Sequence, residues 1–237
     1  MKYLLDNTLA PLTFAWGFIE APLDTVNDAY RRWHRKILHR VRVTRFNLPL
    51  AEALKQLDPL DRGSQRVLFM STRSDWTACF DNGVRGGNPS TFVGELARQL
   101  KCRGVAVGCI PNTLSRRDGA KPGTWGALKF TLFAPEERDF LNIERSVSII
   151  NDVGGWEFNS IGTVQAFEDV DHYAARRIAD RLTSGMLEDY CRALGIDLFD
   201  ENFYGRAGVL TDSYPWFLRR PATTPLAEAR KLLGFSD

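Results

Sequence analysis

The residues able to do chemistry in this 237-residue chain are few and scattered. Asp75 and Asp81 flank one apolar segment that begins at Trp76. Two carboxylates divide general acid and general base duties only when both reach the reacting group. Six residues of strand hold them about 20 Å apart, so they cooperate only if the segment bends. Asp75 reads better as a turn residue. His34, His39 and His172 lack HxH or HExxH spacing, and no GxSxG elbow or GxxxxGK[ST] loop occurs. Cys79, Cys102, Cys109 and Cys191 show no CxxC spacing and lie in apolar patterns. That predicts buried free thiols, since a reactive thiolate needs an exposed, electropositive setting. The reading is therefore no catalytic residue, no metal and no cofactor.

Three polar segments remain as binding candidates. In the first, Arg85, Gly86, Gly87, Asn88 and Ser90 lead into a helix whose early N–H groups attract phosphate or carboxylate. The plain alternative is a tight turn with Asn88 as N-cap and Pro89 at the first helical position. The second is a basic cluster of Arg31, Arg32, Arg35, Lys36, Arg40 and Arg42, continued by Arg45, with His34 and His39 among them. It would suit RNA, DNA or an acidic protein surface. Stacking aromatics are scarce there, and a solvated face balanced by acidic segments explains it as well. The third is the loop 112–123, carrying Arg116, Arg117 and Lys121 ahead of Trp125. About twelve polar residues make a long hairpin connection, and such loops are commonly functional or disordered. With the Arg73–Asp75 turn and Arg85, these residues are the candidate contacts for a protein partner.

The elements that must position these residues can be read from periodicity. An apolar segment at 13–19 precedes a helix whose stripe is Val26, Ala29, Tyr30, Trp33 and Ile37. Residues 39–46 alternate, with Val41, Val43 and Arg45 on one side and Arg40, Arg42 and Thr44 on the other. A short helix at 49–57 completes an N-terminal βαβα region, 13–57. Strands at 66–72 and 76–81, a helix from Pro89 ending near Gly104 as C-cap, and strands at 105–110, 124–134, 141–150, WEFNS and TVQAF make a β-rich core, 66–167. The unbroken apolar run at 105–110 predicts a central strand. From Val170 to Leu194 apolar residues hold the 3.6-residue period, which predicts a long helix, divided at most at Gly185. Residues 196–237 read as an aromatic, Pro-punctuated tail with a last helix at 225–233, closing a helical region 170–237.

Consecutive hairpins without intervening helices argue for one α+β domain, with a mainly antiparallel or mixed sheet and helices packed on it. The hydrophobic fraction of 44% and charged fraction of 25% are ordinary, and a net charge of +2 gives no whole-chain argument for nucleic acid or membrane. Asp6 and Asn7 interrupt the N-terminal apolar run, so no signal peptide is read, and no run reaches the ~18–20 apolar residues of a membrane span. The expectation is a cytoplasmic protein-binding domain. Bacterial immunity and antitoxin proteins, which mask a toxin, share this general profile. The alternatives are an enzyme on a phosphorylated or nucleic-acid substrate at 85–90, and nucleic-acid binding through 31–45.

Overall fold

The alternating segments meet edge to edge. The computed structural model describes residues 1–37, 39–63, 65–116, 121–136, 138, 141–215, 217 and 222–235. Its strands are β1 (Ala15–Ile19), β2 (His39–Asn47), β3 (Leu60–Asp61), β4 (Arg66–Thr72), β5 (Thr77–Asp81), β6 (Gly104–Ile110), β7 (Ala127–Phe133), β8 (Ile143–Asp152), β9 (Gly155–Gly162), β10 (Tyr204–Pro215) and β11 (Thr223–Thr224). Its helices are α1 (Leu23–Lys36), α2 (Leu50–Lys55), α3 (Ser90–Leu100), α4 (Ser184–Ala193) and α5 (Leu226–Leu232). Among the described residues, nine strands form one sheet in the order β2-β10-β4-β5-β1-β6-β7-β8-β9. Every neighbouring pair in it is antiparallel. The mainly antiparallel α+β architecture expected from the hairpins is the one that forms.

The centre of the sheet has a defined connectivity. In chain order, β1-α1-β4-β5-α3-β6 gives the spatial order β4-β5-β1-β6. That is the split βαβ arrangement of ferredoxin-like sheets. Two strands extend it on one side and three on the other. The expected N-terminal βαβα region exists in sequence but not in space, because β1 lies mid-sheet and β2 is an edge.

Alternation divides the core into two layers. Ile19, Phe69, Cys79 and Ala106 face α1 and α3. Trp16, Phe18, Leu68, Phe80 and Phe130 face the opposite side, which is covered by the first residues of the chain, α2 and α4. Gly17 is required for the first layer, since a Cβ there would lie 2.5 Å from Val93 Cγ2 of α3. β6 is buried along nearly its whole length, as its unbroken apolar run predicts. Of the α1 stripe, Val26, Ala29 and Tyr30 are buried and Trp33 is half-buried, whereas Ile37 lies beyond the helix and is exposed.

Five expectations are corrected. The long helix after Val170 does not form. Residues 171–174 and 178–180 make single 3-10 turns, and α4 begins only at Ser184, where Thr183 Oγ1 accepts the Met186 N–H. Leu182 and, in part, Tyr173 reach the core from separate turns while Val170 and Ala174 stay exposed; Tyr173 Oη lies 2.8 Å from Glu168 Oε2 and 2.8 Å from Tyr190 Oη. TVQAF is not a strand, because Gly162 at φ +86° ends β9 against the backbone of Glu144. Asn88 does not cap α3, whose N-cap is Pro89 with no side-chain bond, and Gly104 opens β6, the helix being closed instead by Lys101 at φ 54°. The largest correction is β10. The segment read as a surface tail supplies a twelve-residue strand paired with both β2 and β4.

Candidate functional site

Strand direction decides which loops can share a surface. Asp81 ends β5, Ile110 of β6 pairs with Ala127 of β7, and Asp152 of β8 pairs with Gly155 of β9. The loops 82–89, 111–126 and 153–154 therefore leave from one end of the sheet, as does the 62–65 turn that precedes β4, because Val67 pairs with Asp81. Arg62, Arg85, Arg116, Lys121 and Trp125 lie on these loops. Arg73 and Asp75 lie in the β4–β5 turn at the opposite end. Arg117 falls outside the described residues. Asp75 and Asp81 sit at the two ends of β5, so the straight strand keeps them from serving one reaction.

Local packing fixes the loop end. Arg116 Nε donates to the Val153 carbonyl at 2.9 Å, and its stem occupies the space that a Cβ on Gly154 would fill. Asn112 Oδ1 accepts from Asn151 Nδ2 at 2.8 Å and from the Gly126 N–H at 2.9 Å. Thr124 Oγ1 donates to the Pro111 carbonyl at 2.6 Å. Half-buried Trp125 is held between these two anchors.

The Arg85–Ser90 segment has a different role from the one its glycines suggest. Asp61, Arg62, Gly83, Arg85, Gly86, Gly87 and Asn88 line an open pocket of about 490 Å³. Among the described residues, Asp61 is the one carboxylate in its wall, and Asp81 lies behind the glycines. Asp81 is buried, its Oδ1 accepts the Gly83 N–H at 2.9 Å, and a Cβ on Gly87 would fall on its carboxylate. Asp61, also buried, accepts from the Gly63 N–H at 2.7 Å and from Asn82 Nδ2 at 3.1 Å. The anion that these glycines accommodate is the protein's own. Ser90 faces away into a neighbouring groove, with Asn88 between the two.

The basic cluster at 31–45 is divided. Arg32, Arg35 and Lys36 are exposed on α1, while Arg31 lies 3.5 Å from Asp28 and Arg45 2.8 Å from Asp24. Arg40 and Arg42 stand opposite Tyr214 and Asp212 on the face away from α1. Arginines along an edge strand also discourage edge-to-edge aggregation, which is a structural reason for them. His34 packs on Tyr30 at 4.1 Å between ring centroids, and its Nδ1 lies 3.1 Å from His39 Nδ1. Burial, and then the neighbouring His39, lower its pKa to about 4.

Cys79, Cys109 and Cys191 are buried and Cys102 is half-buried. Burial raises all four thiols, Cys102 to about 11 and Cys109 to about 12. Among the described residues, no group of three or more His, Cys, Asp or Glu side chains is placed to hold a metal, and no helix is long and apolar enough to cross a membrane.

A groove of about 680 Å³ that was not expected from the sequence lies between α3 and the face of β7, β8 and β9, which no helix among the described residues covers. Lys129 and Thr131 of β7 and Ser146 of β8 lie on its floor, with Ile161 of β9 beside Ser146 and Ile143 and Leu141 towards one end. The available signal was Lys129 itself, a lone cation in the strand ALKFTLF. No family model, curated protein or solved structure matches the chain.

Proposed function

We propose that this chain is a binding protein that takes an acidic protein surface at the loop end of its sheet, in the manner of an immunity or antitoxin protein masking its target. The observation that carries the reading is the convergence of Arg62, Arg85, Arg116 and Lys121 from three loops onto that end, with exposed Val153 at the β8–β9 turn. Same-sign charge on a rigid surface steers an oppositely charged partner and sets register. An apolar residue among the charges adds area that such a contact buries. Arg73 and Asp75 belong to the opposite end and are left out of this surface.

The test is affinity capture from the source lysate with the wild type and with an Arg85→Glu/Arg116→Glu variant. A stoichiometric acidic protein retained by the wild type and lost by the variant, at unchanged thermal stability, supports the reading. Equal capture by both, or none under gentle conditions, overturns it.

Nucleic-acid binding is the second reading, favoured by one observation. The end of α1 and the start of β2 reach the same end of the sheet, because His39 pairs with Pro215 and Arg66 with Asp212. Arg35, Arg40 and Arg42 thus extend the basic end along its edge. This reading requires affinity that falls steeply with salt, and a salt-independent gel shift would remove it.

A further inference from the structure

We propose that the groove between α3 and β7–β9 binds an elongated amphipathic carboxylate, its head group on Lys129 and its apolar tail over Ile143, Ile161 and Leu141. The floor is ordered in rows by the strand register. Lys129 stands opposite Ser148, Thr131 opposite Ser146, and Phe133 opposite Ile143, with Ile161 completing the second row. Successive rows are about 7 Å apart, so the ammonium and the last apolar row are separated by about 14 Å. Polarity falls along that distance. Ser146 and Thr131 hydroxyls lie 3.1 Å apart, one donating to the other, so the middle of the floor carries hydroxyls but no charge. Leu141 is 71% exposed and Ile161 53% exposed, a high value for side chains that line a concavity.

The charge pattern selects the head group. Arg98 lies 2.9 Å from Glu95 and Arg138 3.7 Å from Glu144, so each already has a carboxylate. Lys129 makes no ion pair or hydrogen bond among the described residues. Its stem lies beside Gly108, where a side chain would stand 3.5 Å from its Cβ. Burial lowers its pKa from the ordinary lysine value, as expected for an ammonium that is partly dehydrated and lacks a counter-ion. A carboxylate supplies that counter-ion. A tail of roughly eight to ten carbons spans the rows.

The experiment is calorimetric titration of the full chain with hexanoate, octanoate and decanoate, with octan-1-ol and inorganic phosphate as controls, followed by amide shifts at Thr131 and Ser146. Saturable binding that strengthens two- to fourfold per added methylene is expected, the upper figure being that for full burial. Lys129→Gln should weaken octanoate at least tenfold, and Lys129→Arg should recover most of the loss. Equal affinity in Lys129→Gln, equal affinity for octan-1-ol, phosphate binding as tight as octanoate, or no saturation by about 10 mM would each overturn the proposal. Lys129 lies outside the loop-end surface, so partner capture by Lys129→Gln separates a failure here from a failure there.

Discussion

Replacing Glu168 by Gln should destabilise the protein by about 3–5 kcal/mol, because it leaves a buried guanidinium without its charge. The Arg145 and Glu168 side chains are 3% and 0% exposed. Arg145 Nε and Nη2 reach the two carboxylate oxygens at 2.9 and 2.7 Å. The same carboxylate accepts from Tyr173 Oη at 2.8 Å and from the Gln165 N–H at 2.7 Å, while Arg145 Nη1 donates to the carbonyls of Ile161 and Gly162 at 3.3 Å. The pair therefore ties β8, the end of β9 and the 165–173 segment together. Gln keeps the shape and one oxygen but turns an acceptor into an NH₂ aimed at Arg145. A chain of this length loses about 2–4 °C of Tm per kcal/mol, so the midpoint should fall by roughly 10 °C. Urea unfolding followed by circular dichroism gives the free energy. The double variant Arg145→Met/Glu168→Met removes both charges and should be more stable than Glu168→Gln alone. A loss below about 1 kcal/mol for Glu168→Gln, or a double variant no better than the single, would refute the claim that desolvated charge holds this corner.

Acid should destabilise the fold through His34. Its folded pKa of about 4 lies below the ordinary 6.5, so the unfolded chain binds the extra proton and stability is lost as pH falls from about 6.5 to 4. Urea midpoints measured across that window should show a slope on the order of 2–3 kcal/mol in total, and His34→Phe, which keeps the ring on Tyr30, should flatten it. Gly87→Ala should cost about 2 kcal/mol or more, because its methyl group would displace the Asp81 carboxylate, whereas Gly185→Ala in α4, where the nearest atom is 3.7 Å away, should be neutral or stabilising; thermal melts of the two variants check the contrast.

What could be read from the sequence depended on how far apart in the chain the deciding contacts lie. The alternation in β2 and β8, the unbroken run in β6 and the hairpin turns each depend on residues within about ten positions. All of these elements form. β10 has the opposite character. Its residues GRAGVLTDSYP carry two glycines and a proline, which read as breakers when only neighbours are considered. Gly208 is small because a Cβ there would strike the Phe46 ring on β2, and Val209 is buried because it pairs with Phe69 of β4. Both partners lie more than a hundred residues upstream, so nothing local marks the segment as a strand. The false long helix fails for a related reason. Ala174, Ile178, Leu182 and Met186 hold helical spacing, but Tyr173 beside them is half-buried in a single 3-10 turn, held by its bonds to Glu168 and Tyr190 and not by a helical face.

The candidate sites follow the same division. Arg85, Arg116 and Lys121 are visible as basic residues in polar loops, yet their assembly on one end needs the strand directions, and the same directions exclude Arg73 and Asp75. The groove is harder still to read. α1 packs over β2, β4 and β10, α3 packs over β1 and β6, and α3 overlaps only the near side of β7. Two helices cannot cover one face of nine strands, so part of that face must lie open. The connectivity β1-α1-β4-β5-α3-β6 puts the opening over β7–β9, since both helices belong to the central unit and, among the described residues, the three added strands bring no helix to that face. Serines and a lysine on the open face are then what an uncovered sheet requires. Ile161 and Leu141 are not, and their exposure in the groove that also holds Lys129, which has no ion pair among the described residues, is the reason for proposing a binding groove there.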